Sequence, residues 1–154
     1  MCVYEKLKQL GVELPQVPHK AGVFVFVREF GDNLAYVSGC GPDVNGRLYK
    51  KGKLGSDLSL EEGKEAAKNC ALNMLTLIHH HVGDLNKIKR VVKVLGFVAS
   101  DVEFYEQPKV INGCSEFLDV LFGAEVGMGA RSAIGTNVLP GNIPVEIEML
   151  FELK

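Results

Sequence analysis

The sequence lacks the short motifs that mark several large enzyme classes. Its 154 residues contain no GxGxxG, no phosphate-binding P-loop, no GxSxG and no CxxC. Nothing in it therefore indicates a dinucleotide-binding protein, a P-loop NTPase, a serine hydrolase with a nucleophile elbow or a dithiol oxidoreductase.

Cysteine and long apolar runs are also scarce. The four cysteines lie far apart in the chain, at Cys2, Cys40, Cys70 and Cys114. This spacing fits free thiols in a reducing compartment better than a disulfide framework or a metal cluster. The first residues contain no apolar secretory segment, and no stretch approaches the ~20 apolar residues that cross a bilayer. We therefore expect a cytoplasmic protein without a membrane partner.

The net charge is only −2, so no global field attracts nucleic acid or an anionic surface. Two short basic runs, residues 50–53 and 87–90, are interpreted as solvated surface. With 47% hydrophobic and 23% charged residues, the composition is that of a globular protein, and we expect one domain over residues 1–154. No nucleic-acid partner is expected.

Three consecutive histidines, residues 79–81, are the one feature that might suggest a metal site. Consecutive residues on a helix point about 100° apart, so these side chains cannot face one ion together. No second ligand motif accompanies them, and they are interpreted as a solvated helix end. Neither a metal nor a cofactor is expected.

The order of secondary-structure elements predicts an α+β protein. A short helix over residues 3–10 and an extended connector make up residues 1–20. A hairpin of strands 23–30 and 34–38 precedes a loop over residues 40–56, which includes a short strand at 47–50. A capping box at Ser59 starts a long helix that ends near Val82. A buried strand at 90–98 and a second helix from Pro108 to Gly123 follow. We expect a mixed β-sheet with both long helices packed on one face.

The chain ends in a strand with period-2 alternation. From Val145 to Leu153 every second residue is apolar, and Glu146 lies on the opposite face. A turn at residues 139–142 is predicted to fold the strand that contains Arg131 back against this tail, as a hairpin that brings Arg131 near Glu146. A guanidinium beside a partly shielded carboxylate suits a small carboxylic acid. The alternatives, a surface ion pair for Arg131 and a solvated Glu146, stay open.

The same stretch carries a family resemblance. Arg131-Ser132, then Leu139-Pro140, then the V-E-I-E run over residues 145–148 fall in the register of the C-terminal signature of the Rid family, the YjgF/RidA-type or endoribonuclease L-PSP proteins. The resemblance extends from about Phe24 onward. It implies a fold like that of Bacillus-type chorismate mutase, with three subunits and clefts between them. The expected apolar residues on the sheet face away from the helices agree with such an assembly.

The resemblance also implies roles for particular residues. Arg131 corresponds to the arginine that binds the substrate carboxylate, and Glu146 to the glutamate that positions water at an imine carbon. Ser38 and Gly39 match a pair that lines the pocket, and Asn112 matches an asparagine of the second helix. Two positions depart from the family pattern: Phe24 stands where many members have tyrosine, and Ala133 where many deaminating members have cysteine. The N-terminal helix and the loop over residues 41–55 resemble a longer subfamily.

Two functions remain in competition at this point. The resemblance implies cofactor-independent hydrolysis of reactive enamines and imines, of the 2-iminopropanoate and 2-iminobutanoate type, to 2-keto acids and ammonia. This reaction serves metabolite damage control, because such intermediates arise from pyridoxal-phosphate enzymes. The alternative is a non-catalytic protein that binds a small carboxylate metabolite in the same cleft, which the missing thiol at Ala133 keeps open. An endoribonuclease has less support, because no basic-aromatic stripe is present.

Overall fold

The structure is a computed structural model that describes residues 2–154. A five-stranded mixed sheet in the order β1-β2-β5-β3-β4 carries the helices. In chain order the elements are α1 Val3–Gln9, β1 Val27–Phe30, β2 Leu34–Cys40, α2 Leu60–Val82, β3 Ile88–Ala99, α3 Gln107–Phe122, α4 Ala124–Gly127, β4 Ala130–Thr136 and β5 Val145–Leu153. Both long helices pack on one face of the sheet, which confirms the predicted α+β class.

Local sequence signals fix the ends of α2. The Ser59 hydroxyl accepts a hydrogen bond from the Glu62 backbone N–H at 3.2 Å, and the Glu62 carboxylate accepts one from the Ser59 N–H at 2.8 Å. This reciprocal pair satisfies two free donors of the first turn. At the other end Gly83 adopts φ +80°, the left-handed conformation that ends helices and favours glycine. The predicted bounds of this helix are confirmed.

The core lies between the helices and one row of side chains of the C-terminal strand. Every second residue of β5 is buried, and the row consists of Val145, Ile147, Met149, Phe151 and Leu153. The apolar residues of α2 and α3 cover this row, among them Met74, Ile78, Ile111 and Leu118, each 0% exposed. The alternation therefore decides which face of the sheet receives the helices and which stays open.

The predicted hairpin between the Arg131 strand and the C-terminal strand is wrong. β4 pairs in parallel with β3, and β3 separates it from β5. β5, with its buried apolar row, takes the sheet centre between β2 and β3, whereas β4 contains no buried residue and forms an edge. The 139–142 turn does reverse the chain direction, but a turn fixes direction and not the neighbouring strand.

The bounds of several other helices and strands also differ from the prediction. The first strand covers only Val27–Phe30 and not 23–30, although the Ser38 N–H still donates to the Phe26 carbonyl at 2.8 Å. The strand expected at 47–50 is reduced to one bridge between Val44 and Arg47. The predicted turn after α2 contains a short 3₁₀ helix, Leu85–Lys87. No helix of the described part of the chain is long and apolar enough to cross a membrane.

The two long helices approach each other closely at Gly113. A Cβ at this position would overlap the backbone carbonyl oxygen of Lys64 in α2. A Cβ at Gly63, in the facing helix, would instead meet the Cδ1 of Leu54 at 2.6 Å. A backbone carbonyl within a helix cannot yield, whereas the end of a leucine side chain can rotate away.

We therefore expect Gly113→Ala to lower the free energy of unfolding by about 1–3 kcal/mol. This is the opposite of the gain of about 0.5–1 kcal/mol that alanine normally brings inside a helix. Gly63→Ala is the matched control and should cost less. Urea unfolding at one fixed protein concentration measures both, and an equal or larger loss for Gly63→Ala would contradict the close backbone contact.

Candidate functional site

The Glu146 side chain lies on the open face of the sheet, against the end of β2. A Cβ on Gly39 would overlap its Oε1, so the glycine leaves the room that this carboxylate occupies. Partial burial raises the pKa of Glu146, and the nearby charge of Glu148 raises it further. A carboxylate with a raised pKa holds a proton more readily and is suited to acid–base chemistry nearer neutral pH.

Glu146 borders a cavity of about 620 Å³. Phe24 and Phe26 form one wall, with their rings edge to face and 5.6 Å between centroids. The Ser38 hydroxyl donates to the Val25 carbonyl at 2.8 Å and so ties this aromatic wall to β2. Ser38 supports the wall and does not itself line the cavity, whereas Gly39, Phe24 and Glu146 do.

Arg131 lies in a second group of polar residues, where β4 meets α3. Its Nη1 donates to the Asn112 Oδ1 at 2.7 Å and to the Ser115 hydroxyl at 3.2 Å. No carboxylate of residues 2–154 lies within 4.0 Å of this guanidinium. Ala133 follows on the same face of β4 and packs against the core. Two neutral acceptors thus orient Arg131 while its positive charge stays uncompensated.

The two groups face opposite ways within one chain. Arg131 is aligned with Val94 and Met149, both buried under the helices. Glu146 is three residues from Met149 on β5, so the alternation turns its side chain to the other face. Two strand spacings and three residues of rise put the Cα atoms about 14 Å apart. One small ligand therefore cannot touch Arg131 and Glu146 of the same chain.

The structure thus divides the sequence-predicted site into two half-sites. The Glu146 half-site contains Glu146, Gly39 and Phe24, with Ser38 behind them. The Arg131 half-site contains Arg131 and Asn112, with Ala133 on the same strand face. The catalytic and binding roles of these residues stay predictions.

Sequence reasoning missed two residues near these half-sites. Ser115 lies one helical turn after Asn112, a spacing that predicts a shared face. Asn73 is the second: it is 2% exposed, lies in the apolar stripe of α2 and reaches the cavity wall. An asparagine among apolar helix residues is a signal that could have identified it.

The histidines at the end of α2 make contacts of their own. His79 shares a hydrogen bond of 3.1 Å with the Tyr4 hydroxyl, and His81 lies 2.7 Å from the Glu29 carboxylate. Over residues 2–154 no three ligand-type side chains come close enough to hold a metal ion. His79 thus joins α2 to α1, and His81 joins α2 to β1.

Residues 5–153 match the family described as "YjgF/chorismate_mutase-like, putative endoribonuclease", and the chain belongs to this family. The Rid-type resemblance of the sequence is thereby confirmed. Protein TCP17 of Trypanosoma cruzi is 40% identical over 154 residues, which cover 99% of this chain and 94% of that protein.

Two solved structures are similar over nearly the whole chain. The protein Atu1372 of Agrobacterium tumefaciens, described as of unknown function, is 39% identical, covers 99% of this chain and 92% of its own, and superposes with a TM-score of 0.89. A protein of Shewanella oneidensis MR-1, titled a putative endoribonuclease, is 28% identical, with coverage of 99% and 100% and a TM-score of 0.95. The N-terminal helix and the long loop are thus within the shared fold.

The raised pKa of Glu146 predicts a pH-dependent effect on stability. Because its pKa is higher in the folded chain than the ordinary ~4.3 of the unfolded one, the fold binds the proton more tightly. The contribution of Glu146 to the free energy of unfolding therefore falls as the pH rises from its pKa in the unfolded chain through its higher pKa in the folded chain. The difference in free energy of unfolding between Glu146→Gln and wild type should therefore favour the variant more at pH 7 than at pH 4.

Urea unfolding at both pH values measures this difference. The exposed Glu103 supplies the control, Glu103→Gln, which should change little between the two conditions. A stability difference for Glu146→Gln that is the same at pH 4 and pH 7 would show that burial does not perturb this carboxyl group.

Proposed function

We propose that the protein hydrolyses 2-imino acids and their enamine tautomers to 2-keto acids and ammonia, in sites shared between neighbouring subunits. The observation that carries the proposal is the division of the site. A guanidinium with no carboxylate of the described residues 2–154 within 4.0 Å lies in the Arg131 half-site, and a carboxylate with a raised pKa lies in the Glu146 half-site on the other face of the sheet. A neighbouring copy of the chain can supply the missing half.

The open face of the sheet supports such an assembly. It carries an apolar strip of Ile134, at 47% exposure, with the half-buried Phe97 and Leu95. Tyr36, at 39% exposure, lies on the same face and donates to the Glu148 carboxylate at 2.6 Å. An apolar strip of this kind on a sheet is typical of a surface that packs against another copy. A homotrimer would cover these strips and bring Arg131 of one subunit to Glu146 of the next.

The residues then have distinct tasks. Arg131, held by Asn112 and Ser115, binds the substrate carboxylate with two parallel N–H donors. Glu146 takes a proton from a water as the water oxygen bonds to the carbon of the protonated imine, and the C=N electrons move to nitrogen, which becomes a neutral amine. Glu146 then gives this proton to the amine nitrogen. The C–N bond breaks and ammonia leaves as the C=O bond forms, and the carbinolamine hydroxyl proton passes to the Glu146 carboxylate.

A binding protein without catalysis is the second candidate. Ala133 favours it, because this chain has no thiol at the position where, as the family resemblance implies, many deaminating members have cysteine. Phe24 likewise keeps an aromatic wall but has no hydroxyl group. In this alternative the same cleft holds a small 2-oxo acid and Glu146 only shapes it.

RNA cleavage has weaker support, although the Shewanella protein bears an endoribonuclease title. The lysines of the basic run at residues 50–53 are engaged within the chain. Lys50 pairs with Glu62 at 2.9 Å, Lys51 with Asp43 at 3.2 Å, and Lys53 donates to Asn137 at 3.1 Å. Lysines held in this way are less available to a phosphate backbone.

The assembly is tested by mass. Light scattering at micromolar concentration should give about three times the chain mass of 16.8 kDa. Ile134→Glu places a charge in the exposed apolar strip and should shift the protein towards monomer. Val102→Glu, at a position 86% exposed in a loop, is the matched control and should stay trimeric. A monomeric wild type would contradict the shared site.

Catalysis is tested with 2-aminoacrylate, generated from serine by a dehydratase. Glu146→Gln should lower the hydrolysis rate about 10²–10⁴-fold, the usual contribution of a general acid–base group. Arg131→Ala should weaken binding of 2-oxobutanoate about ten- to a hundred-fold. Arg90→Ala, which removes a surface arginine paired with Glu152 at 2.8 Å, is the control. If the wild-type protein does not hydrolyse 2-aminoacrylate but binds 2-oxobutanoate, and Arg131→Ala weakens that binding, the result would favour the binding protein without catalysis.

Mixing the two variants then tests whether the site is shared. Neither Arg131→Ala nor Glu146→Gln alone contains an intact pair of half-sites. In randomly mixed trimers about a quarter of the sites join an intact Arg131 to an intact Glu146 of the other variant. Activity should therefore return to about a quarter of wild type after subunit exchange. No recovery in verified mixed trimers would overturn the shared site.

A further inference from the structure

Several exposed apolar side chains of this chain border one cavity. Val17 and Phe24, each 41% exposed, and Leu48, 77% exposed, all line the cavity of about 620 Å³ that Glu146 borders. They belong to three separate segments: the connector after α1, the residues just before β1 and the long loop after β2. Single exposed apolar residues are ordinary, but a concave group of them from distant segments is typical of a site that binds an apolar group.

Contacts between these segments hold the apolar wall in place. Phe26 and Ile143, both half-buried, also line the cavity, and the Phe26 ring packs edge to face against Phe24 with 5.6 Å between centroids. The Gln16 N–H donates to the Asn45 Oδ1 at 2.8 Å, which joins the connector to the long loop. The apolar wall is therefore part of the folded structure and not a set of independent surface residues.

The charged side chains of the cavity offer little to a second polar group on a ligand. Besides Glu146, the acidic or basic side chains of residues 2–154 that border it are Asp43 and His19. Asp43 pairs with Lys51 at 3.2 Å and accepts a hydrogen bond from the Tyr49 N–H at 2.7 Å, and His19 is exposed to water. No lysine or arginine of the described residues lines the cavity, so a carboxylate buried there would lack a strong partner.

We propose that this cavity receives the side chain of the 2-imino or 2-oxo acid, and that the preferred side chain is apolar and of the isobutyl or benzyl kind. Such a group is larger than the methyl and ethyl side chains of 2-iminopropanoate and 2-iminobutanoate. It covers the exposed surfaces of Val17, Phe24 and Leu48, and removal of this apolar surface from water favours binding. The inference rests on the proposed function for the position of the reacting carbon beside Glu146.

Four stable 2-oxo acids test the inference by calorimetry on the wild-type protein. 4-Methyl-2-oxopentanoate, with an isobutyl side chain, should bind about four- to fifteen-fold more tightly than 2-oxobutanoate, with an ethyl one, because each buried methylene group contributes about four-fold. Two polar acids should bind more weakly than the isobutyl acid: 2-oxosuccinamate, which is nearly isosteric with it but carries an amide, and 2-oxoglutarate, which carries a second carboxylate. Equal or weaker binding of the isobutyl acid relative to 2-oxobutanoate or to either polar acid would overturn the proposal.

A double variant then tests whether the preference comes from this cavity. Val17→Asn with Leu48→Asn makes two parts of the wall polar and should lower the ratio of isobutyl-acid to 2-oxobutanoate affinity at least about two-fold. Val120→Asn with Val102→Asn is the matched control, because these residues are 49% and 86% exposed and do not line the cavity. The control should keep the wild-type ratio. An unchanged ratio in the cavity variant, or an equal loss in both variants, would overturn the assignment to this cavity.

Failure of this inference can be told from failure of the proposed function. The preference among the acids is a binding measurement and does not need catalysis. If 2-oxobutanoate binds and Arg131→Ala weakens its binding, but the isobutyl acid gains nothing, only the role of the cavity falls. If Arg131→Ala binds all of these acids as wild type does, or if wild type binds none of them, the shared carboxylate site falls and the inference falls with it.

Discussion

The burial of one face of β5 is the constraint on which the rest of this structure depends. Its apolar row lies under α2 and α3, and both edges of the strand are hydrogen-bonded to neighbours. Strict alternation then leaves no freedom for Glu146, which must project from the open face. A shift of one residue in register would bury the glutamates and expose the core, so the energy that holds the fold also positions the carboxylate.

The separation of Arg131 from Glu146 has an electrostatic consequence. If the two met in one chain, the guanidinium would lower the pKa of the carboxyl group and the pair would neutralise each other. In the chain described here, Arg131 is oriented by two neutral acceptors, and burial raises the pKa of Glu146. Each group is thereby left available for a ligand. In the proposed assembly, a subunit interface would bring the two groups together with the ligand between them.

The connector after α1 and the long loop after β2 add walls to the cavity beside Glu146 without changing the order of the strands. The long loop is anchored from α2 by the Asn73 amide, which donates to the carbonyls of Gly41 and Asp43. The Thr76 hydroxyl lies 3.2 Å from the Pro15 carbonyl of the connector and 3.0 Å from the Leu72 carbonyl of its own helix, and it can donate to either. Both side chains are buried polar groups in a helix that is otherwise apolar on this side. The helix that forms the core therefore also shapes the cavity beside Glu146.

The sequence by itself determined the features that depend on near neighbours. The capping box at Ser59, the glycine at the end of α2 and the alternation of β5 are local, and all appear where they were predicted. The family register likewise predicted the residues that the structure places in the two half-sites, and their roles stay predictions. What only the tertiary structure decided depends on pairing between distant segments. The turn at residues 139–142 reverses the chain direction but does not determine which strand pairs with β4. In the folded chain the exposed β4 lies at the edge of the sheet, and β3 lies between Arg131 and Glu146. The environment of Asn73 is equally non-local. Its Nδ2 donates to a loop thirty residues away in sequence, and its Oδ1 has no hydrogen-bond partner among residues 2–154.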